Sequence, residues 1–135
     1  MDGLPIVQKE AEMSPAKVRA CIRNRANGHA FEIRVWNRIK RRRDCLEAAI
    51  SSGSRGLFDV WTVNSGNITQ TLAVCKRNGY VNYRERKELA EFMRSKPNNV
   101  EVEFWYYQTP KRIKMRIMRR PEDFSQGRFS PTIFS

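Results

Sequence analysis

The apolar positions of this chain fall into three patterns. Over residues 29–42 they recur at helical spacing: Phe31, Val35, Trp36 and Ile39 form one stripe, with Arg34, Arg38 and Arg41 on the other side. Over 100–107 and 113–117 they alternate. Val100, Val102, Phe104 and Tyr106 face one way, and Ile113, Met115 and Ile117 are expected to meet the same core from the neighbouring strand, leaving Glu101 and Glu103 to pair with Lys114 and Arg116 on the outer face. Between these segments, short apolar runs bounded by turn residues predict strands over 45–51, 57–63 and 68–76. Asn64-Ser65-Gly66-Asn67 joins the last two as a hairpin.

The remaining boundaries come from caps and breakers. Ser14-Pro15 starts a short helix running to about residue 24, and Asn27-Gly28 separates it from the helix over 29–42. Asn82, with Glu85 three residues on, opens a helix to about residue 94 that turns Leu89, Phe92 and Met93 inward. The predicted organisation is a flexible tail over 1–13, one domain over 14–120 and a polar C-terminal tail over 121–135. The fold class is α/β, a mixed central sheet flanked by helices. Phe124, Phe129, Ile133 and Phe134 in the last tail suit packing back on the domain. Gln126, Phe129 and Ile133 also approach the spacing of sliding-clamp-binding peptides, missing it by a residue.

Charge narrows the function. Among 135 residues, 26 are basic and 14 acidic, a formal charge of +12. Such an excess repels itself unless a polyanion neutralises it, which favours nucleic acid as partner. No apolar run approaches the roughly 20 residues that span a membrane, and the N-terminus lacks the layout of a signal peptide. Cys21, Cys45 and Cys75 are widely spaced and fit neither a disulfide framework nor a zinc site, so they read as core residues of a protein in a reducing cytosol. One histidine, His29, leaves little for His-based catalysis.

Three charges stand on otherwise apolar faces. Glu32 lies within the helical stripe, Asp59 shares a strand face with Leu57, Trp61 and Val63, and Lys76 ends the face of Leu72 and Val74. A carboxylate so placed is desolvated at a cost unless an ion pair or a metal compensates it. Acid, acid and lysine on a basic protein suggest metal-dependent phosphodiester hydrolysis. Hard Mg²⁺ or Mn²⁺ ions bind carboxylate oxygens, and lysine orients water or stabilises developing charge.

At this point the residues resemble a family. Gly28 and Glu32, the run Gly53-Ser54-Arg55-Gly56-Leu57-Phe58-Asp59-Val60, Val74-Cys75-Lys76 and the charged helix Tyr83-Arg84-Glu85-Arg86-Lys87-Glu88-Leu89 look like archaeal-type Holliday junction resolvases of the PD-(D/E)XK nuclease superfamily. The similarity covers roughly residues 26–118. It implies a restriction-endonuclease-like fold and a homodimer that cuts four-way DNA junctions in recombination and repair. Glu32 and Asp59 would contact the metal, with the Cys75 carbonyl as a further donor. Lys76 would be the catalytic lysine, Ser54 would sit in the catalytic loop and Arg55 near the scissile phosphate. Arg41, Arg42, Arg43, Arg77, Arg84 and Lys87 flank these positions and are expected on DNA phosphates with Arg55. The departure is Val74, where the family carries an acidic ligand. Either a ligand comes from elsewhere, metal binding is weakened, or the chain binds junctions without cutting. A basic RNA-associated protein is the reading from another class.

Overall fold

The structure, a computed structural model, describes residues 14–51 and 56–129. The chain forms two compact units, Met1–Ala30 and Phe31–Ser135. Helix α1 (Pro15–Lys40) runs through both. In the first unit its described side chains, Val18 and Ile22 among them, are exposed. Ser14 caps it through Oγ, which accepts the Lys17 N–H at 3.2 Å. The break expected at Asn27-Gly28 is absent: the helix passes through it. A glycine in a helix costs only about 1 kcal/mol relative to alanine, too little to stop a helix with Arg25, Ala26 and Ala30 around it.

The second unit is a five-stranded mixed sheet in the order β1 (Cys45–Ile50), β2 (Val60–Asn64), β3 (Gln70–Cys75), β4 (Val100–Thr109) and β5 (Arg112–Met118). All neighbours are antiparallel except β3 and β4. That parallel step needs a crossover, which α2 (Tyr83–Ser95) provides. The fold is thus mixed α/β, as its alternating patterns predict. β1 is an edge strand, with a register shift between Cys45 and Glu47 and Leu46 68% exposed.

Each face of the sheet carries its own apolar cluster. Phe31, Val35 and Ile39 of α1 pack on Val60, Ala73 and Trp105, and the Trp36 indole donates to the Ala48 carbonyl at 2.8 Å. Leu89 and Met93 of α2 pack on Val74, Val102, Phe104, Tyr106 and Met118. Each such side chain, fully buried, contributes on the order of 1.5–3 kcal/mol.

Two sequence expectations fail in β4 and β5. Ile113 and Met115 pair with Tyr107 and Trp105 and join the α1-side cluster, not that of Phe104. Glu103 does not pair across strands with Lys114 or Arg116. Its side chain is 1% exposed, and Arg42 grips it through two bonds of 2.6 and 3.0 Å while the Trp105 indole donates to it at 3.0 Å. Strand β4 is covered on both sides, so both of its faces are interior and alternation no longer separates inside from outside.

The segment after β5 packs back on the sheet. Pro121–Phe124 forms a 3-10 turn that buries Phe124. Residues 127–129 run beside 79–81, where Val81 N–H donates to Gly127 and Phe129 N–H to Gly79. The Phe129 ring lies 4.4 Å from that of Phe104. Phe129 of the clamp-like spacing is therefore held against the core, and Ile133 lies outside the described residues.

Candidate active site

Asp59 immediately precedes β2 and is already in the ladder, its N–H donating to the Ala73 carbonyl at 2.8 Å. Its side chain reaches β3, where Oδ2 accepts the Cys75 N–H at 2.7 Å. Burial pushes the Asp59 carboxyl above the ordinary aspartate range. The Cys75 N–H and the Lys76 charge oppose the rise, and the Glu85 charge adds to it. The charges of Lys76 and Glu85 are thus both felt at the partly desolvated Asp59 carboxyl.

Lys76 follows β3 directly. Its N–H donates to the Trp105 carbonyl of β4 at 3.0 Å, and a turn closed by Gly79 N–H to the Lys76 carbonyl carries the chain away. Gly79 has φ of +71°, which suits glycine in this tight turn. The Lys76 ammonium meets Glu85 Oε2 at 2.5 Å, with both side chains about 30% exposed at 28% and 30%. Glu85 sits in the first turn of α2, where Asn82 Oδ1 accepts its N–H and its own Oε1 accepts from Asn82 Nδ2, both at 2.8 Å. Glu85 was legible as a capping residue. Its place beside Lys76 depends on how α2 packs, which the sequence does not display.

Glu32 is half-buried on α1. Its charge and that of Asp59 both act on Cys75, whose thiol is pushed well above the ordinary cysteine range by burial first and then by these two charges. That thiol stays protonated at neutral pH and is a poor nucleophile. Val74 is fully buried with Val81, Leu89 and Phe104, so the position that carries a carboxylate in the resembled family belongs here to the apolar core. Ser54 and Arg55 lie outside the described residues.

The expected phosphate contacts separate. Arg41, Arg43 and Arg77 are exposed. Arg84 pairs with Glu88 at 3.3 Å while remaining 90% exposed, and the Lys87 ammonium lies 5.4 Å from the centre of the Tyr83 ring. Arg42 differs: its two bonds to Glu103 tie it to the sheet.

Among the described residues, no three His, Cys, Asp or Glu side chains converge closely enough to hold a metal ion. Mg²⁺ does not need such a cage, because one or two carboxylates, water and substrate phosphate satisfy it. The burial that raises the Asp59 carboxyl is what a cation would relieve, while the Glu85 oxygens already meet Lys76 and Asn82. No described helix is long and apolar enough to cross a membrane. No protein-family model, curated protein or solved structure matches the chain.

Proposed function

We propose that this protein is a structure-selective DNA endonuclease of the restriction-endonuclease-like fold, working as a homodimer on four-way junctions. The observation that carries the reading is the cluster of Asp59, Lys76 and Glu85, held where β3 ends and α2 begins. The mixed sheet with a helix packed on each face agrees with the fold that the resemblance implies, and the net charge of +12 suits a polyanionic substrate.

Asp59, fixed by the Cys75 N–H, and Glu85 would supply carboxylate oxygens for Mg²⁺ or Mn²⁺, with the Cys75 carbonyl as a further donor. Glu32, expected as a ligand from the resemblance, does not complete a three-acid cage with them. The ion, when bound, neutralises the phosphate and lowers the pKa of its water. Lys76 would orient the attacking water or stabilise charge developing on the phosphate oxygens. Glu85 holds its ammonium through Oε2. Arg77, Arg41 and Arg43 extend the cationic surface along the DNA backbone.

The testing experiment is cleavage of four-way junction, duplex and single-stranded DNA of matched sequence with Mg²⁺ or Mn²⁺. Cleavage of the junction, abolished by Lys76→Ala, supports the reading. No cleavage of any substrate with either ion overturns the enzyme reading. A second reading, junction binding without cleavage, is favoured by the burial of Val74 in the core. In the same assay it gives selective binding and no product.

A further inference from the structure

At the C-terminal end of α1, Arg34, Asn37, Arg38 and Arg41 line a groove of 260 Å³ whose far wall is Lys111 and Ile113 of the β4–β5 hairpin. Four cations meet there. Arg38, Arg41 and Lys111 have no carboxylate partner among the described residues, and Arg34 donates to the neutral Tyr107 hydroxyl at 2.9 Å. Elsewhere several cations are matched to acids: Arg42 to Glu103, Lys76 to Glu85, Arg84 to Glu88 and Arg94 to Glu91. A solvated helix face gives no reason for a hairpin to bring a fourth cation opposite three arginines, since the arrangement repels itself.

We propose that this groove binds the sugar–phosphate backbone of the DNA flanking the cut. Arg34 and Arg41 are separated by seven residues, about 10 Å along the helix. That matches two or three phosphates of one strand at about 3.4 Å of duplex axis each. The groove is also joined to the candidate active site. Tyr107, which accepts from Arg34, donates its own N–H to the carbonyl of Arg77 at 3.2 Å, and Arg77 follows Lys76. A strand whose phosphate lies at Lys76 can therefore run past Arg77 into the groove. Guanidinium groups bind phosphate bidentately, and Asn37 adds a neutral donor. The assignment of the flanking strand rests on the nuclease reading, whereas phosphate binding by the groove does not.

The test is fluorescence anisotropy with duplex DNA in EDTA, across a salt series, so that cleavage plays no part. Arg38→Ala/Arg41→Ala/Lys111→Ala should weaken binding at least about tenfold and flatten the log–log salt slope by about 2. Removal of three cations from the opposite helix, Arg84→Ala/Lys87→Ala/Arg94→Ala, should flatten it less. Lys111→Glu alone, in an exposed turn where folding is not at issue, should weaken binding several-fold. Equal losses in the two triple variants would reduce the effect to net charge and overturn the groove. So would an unchanged slope, or a loss seen with duplex RNA but not with DNA. If the wild-type protein cuts none of the substrates of the cleavage assay yet shows the groove effect, the nuclease reading alone is refuted.

Discussion

The ammonium of Lys76, just beyond β3, is held by the carboxylate of Glu85 in the first turn of α2, 2.5 Å from Nζ to Oε2. The pair is too exposed to add more than about 1 kcal/mol to stability. Its importance is positional: it sets a cation and a second carboxylate beside the desolvated Asp59. Glu85→Gln keeps the cap with Asn82 and removes the charge. Junction cleavage should fall by about 10- to 100-fold, with the melting temperature nearly unchanged. An unchanged cleavage rate would reduce Glu85 to a helix cap.

Asp59 gives a pH signature. Its carboxyl is raised by burial, so the folded protein holds that proton more tightly than the unfolded chain does. The stability this lends is fully present below the unfolded aspartate pKa and is lost as pH rises through the folded one. At neutral pH the ionised group is a net cost. Asp59→Asn, which can still accept the Cys75 N–H, should melt higher than wild type at pH 7, and the difference should shrink in mild acid. Thermal melts at the two pH values measure this. A variant less stable than wild type at pH 7 would contradict it.

Arg42 and Glu103 make a different kind of pair. Because Glu103 is buried, Arg42→Ala strands its charge, and the cost should be about 3–5 kcal/mol in urea unfolding. Arg42→Ala/Glu103→Leu should recover much of that. If Arg42→Ala instead lost less than about 1 kcal/mol and weakened DNA binding strongly, Arg42 would be a phosphate contact and not a structural anchor.

Gly28 lies in the middle of α1, and a Cβ built on it meets nothing within 4 Å. Gly28→Ala should therefore stabilise the protein by about 0.5–1 kcal/mol, read as a higher melting temperature. DNA affinity should not change. A loss of affinity would show that the bare backbone at Gly28 is approached by the ligand.

The sequence displayed what depends on local periodicity and hid what depends on packing. Phe31, Val35 and Ile39 were readable as the inward stripe of α1 because a helix carries its period with it. The strand β4 was not readable in the same way. Alternation gives the two faces of one strand, but not which face its neighbour joins, and a shift in register between Tyr107 and Thr109 separates the two questions further. Glu103 looked like an outer-face charge for that reason, although Arg42 lies 61 residues earlier. At the site, Asp59 and Lys76 were visible as charges on apolar faces. Glu85 was masked by a second role, since a glutamate three residues after Asn82 is already explained as part of a cap.

The register shift in β1 has a consequence for assembly. An open sheet edge offers unpaired amides on which another chain can lay a strand, and this edge carries the exposed Leu46 as an added lure. The extra residue between Cys45 and Glu47 twists the ladder locally, and Glu47 sets a negative charge beside it. A second copy arriving there finds a template out of register with its own backbone. Strand-by-strand accretion is discouraged at its first step.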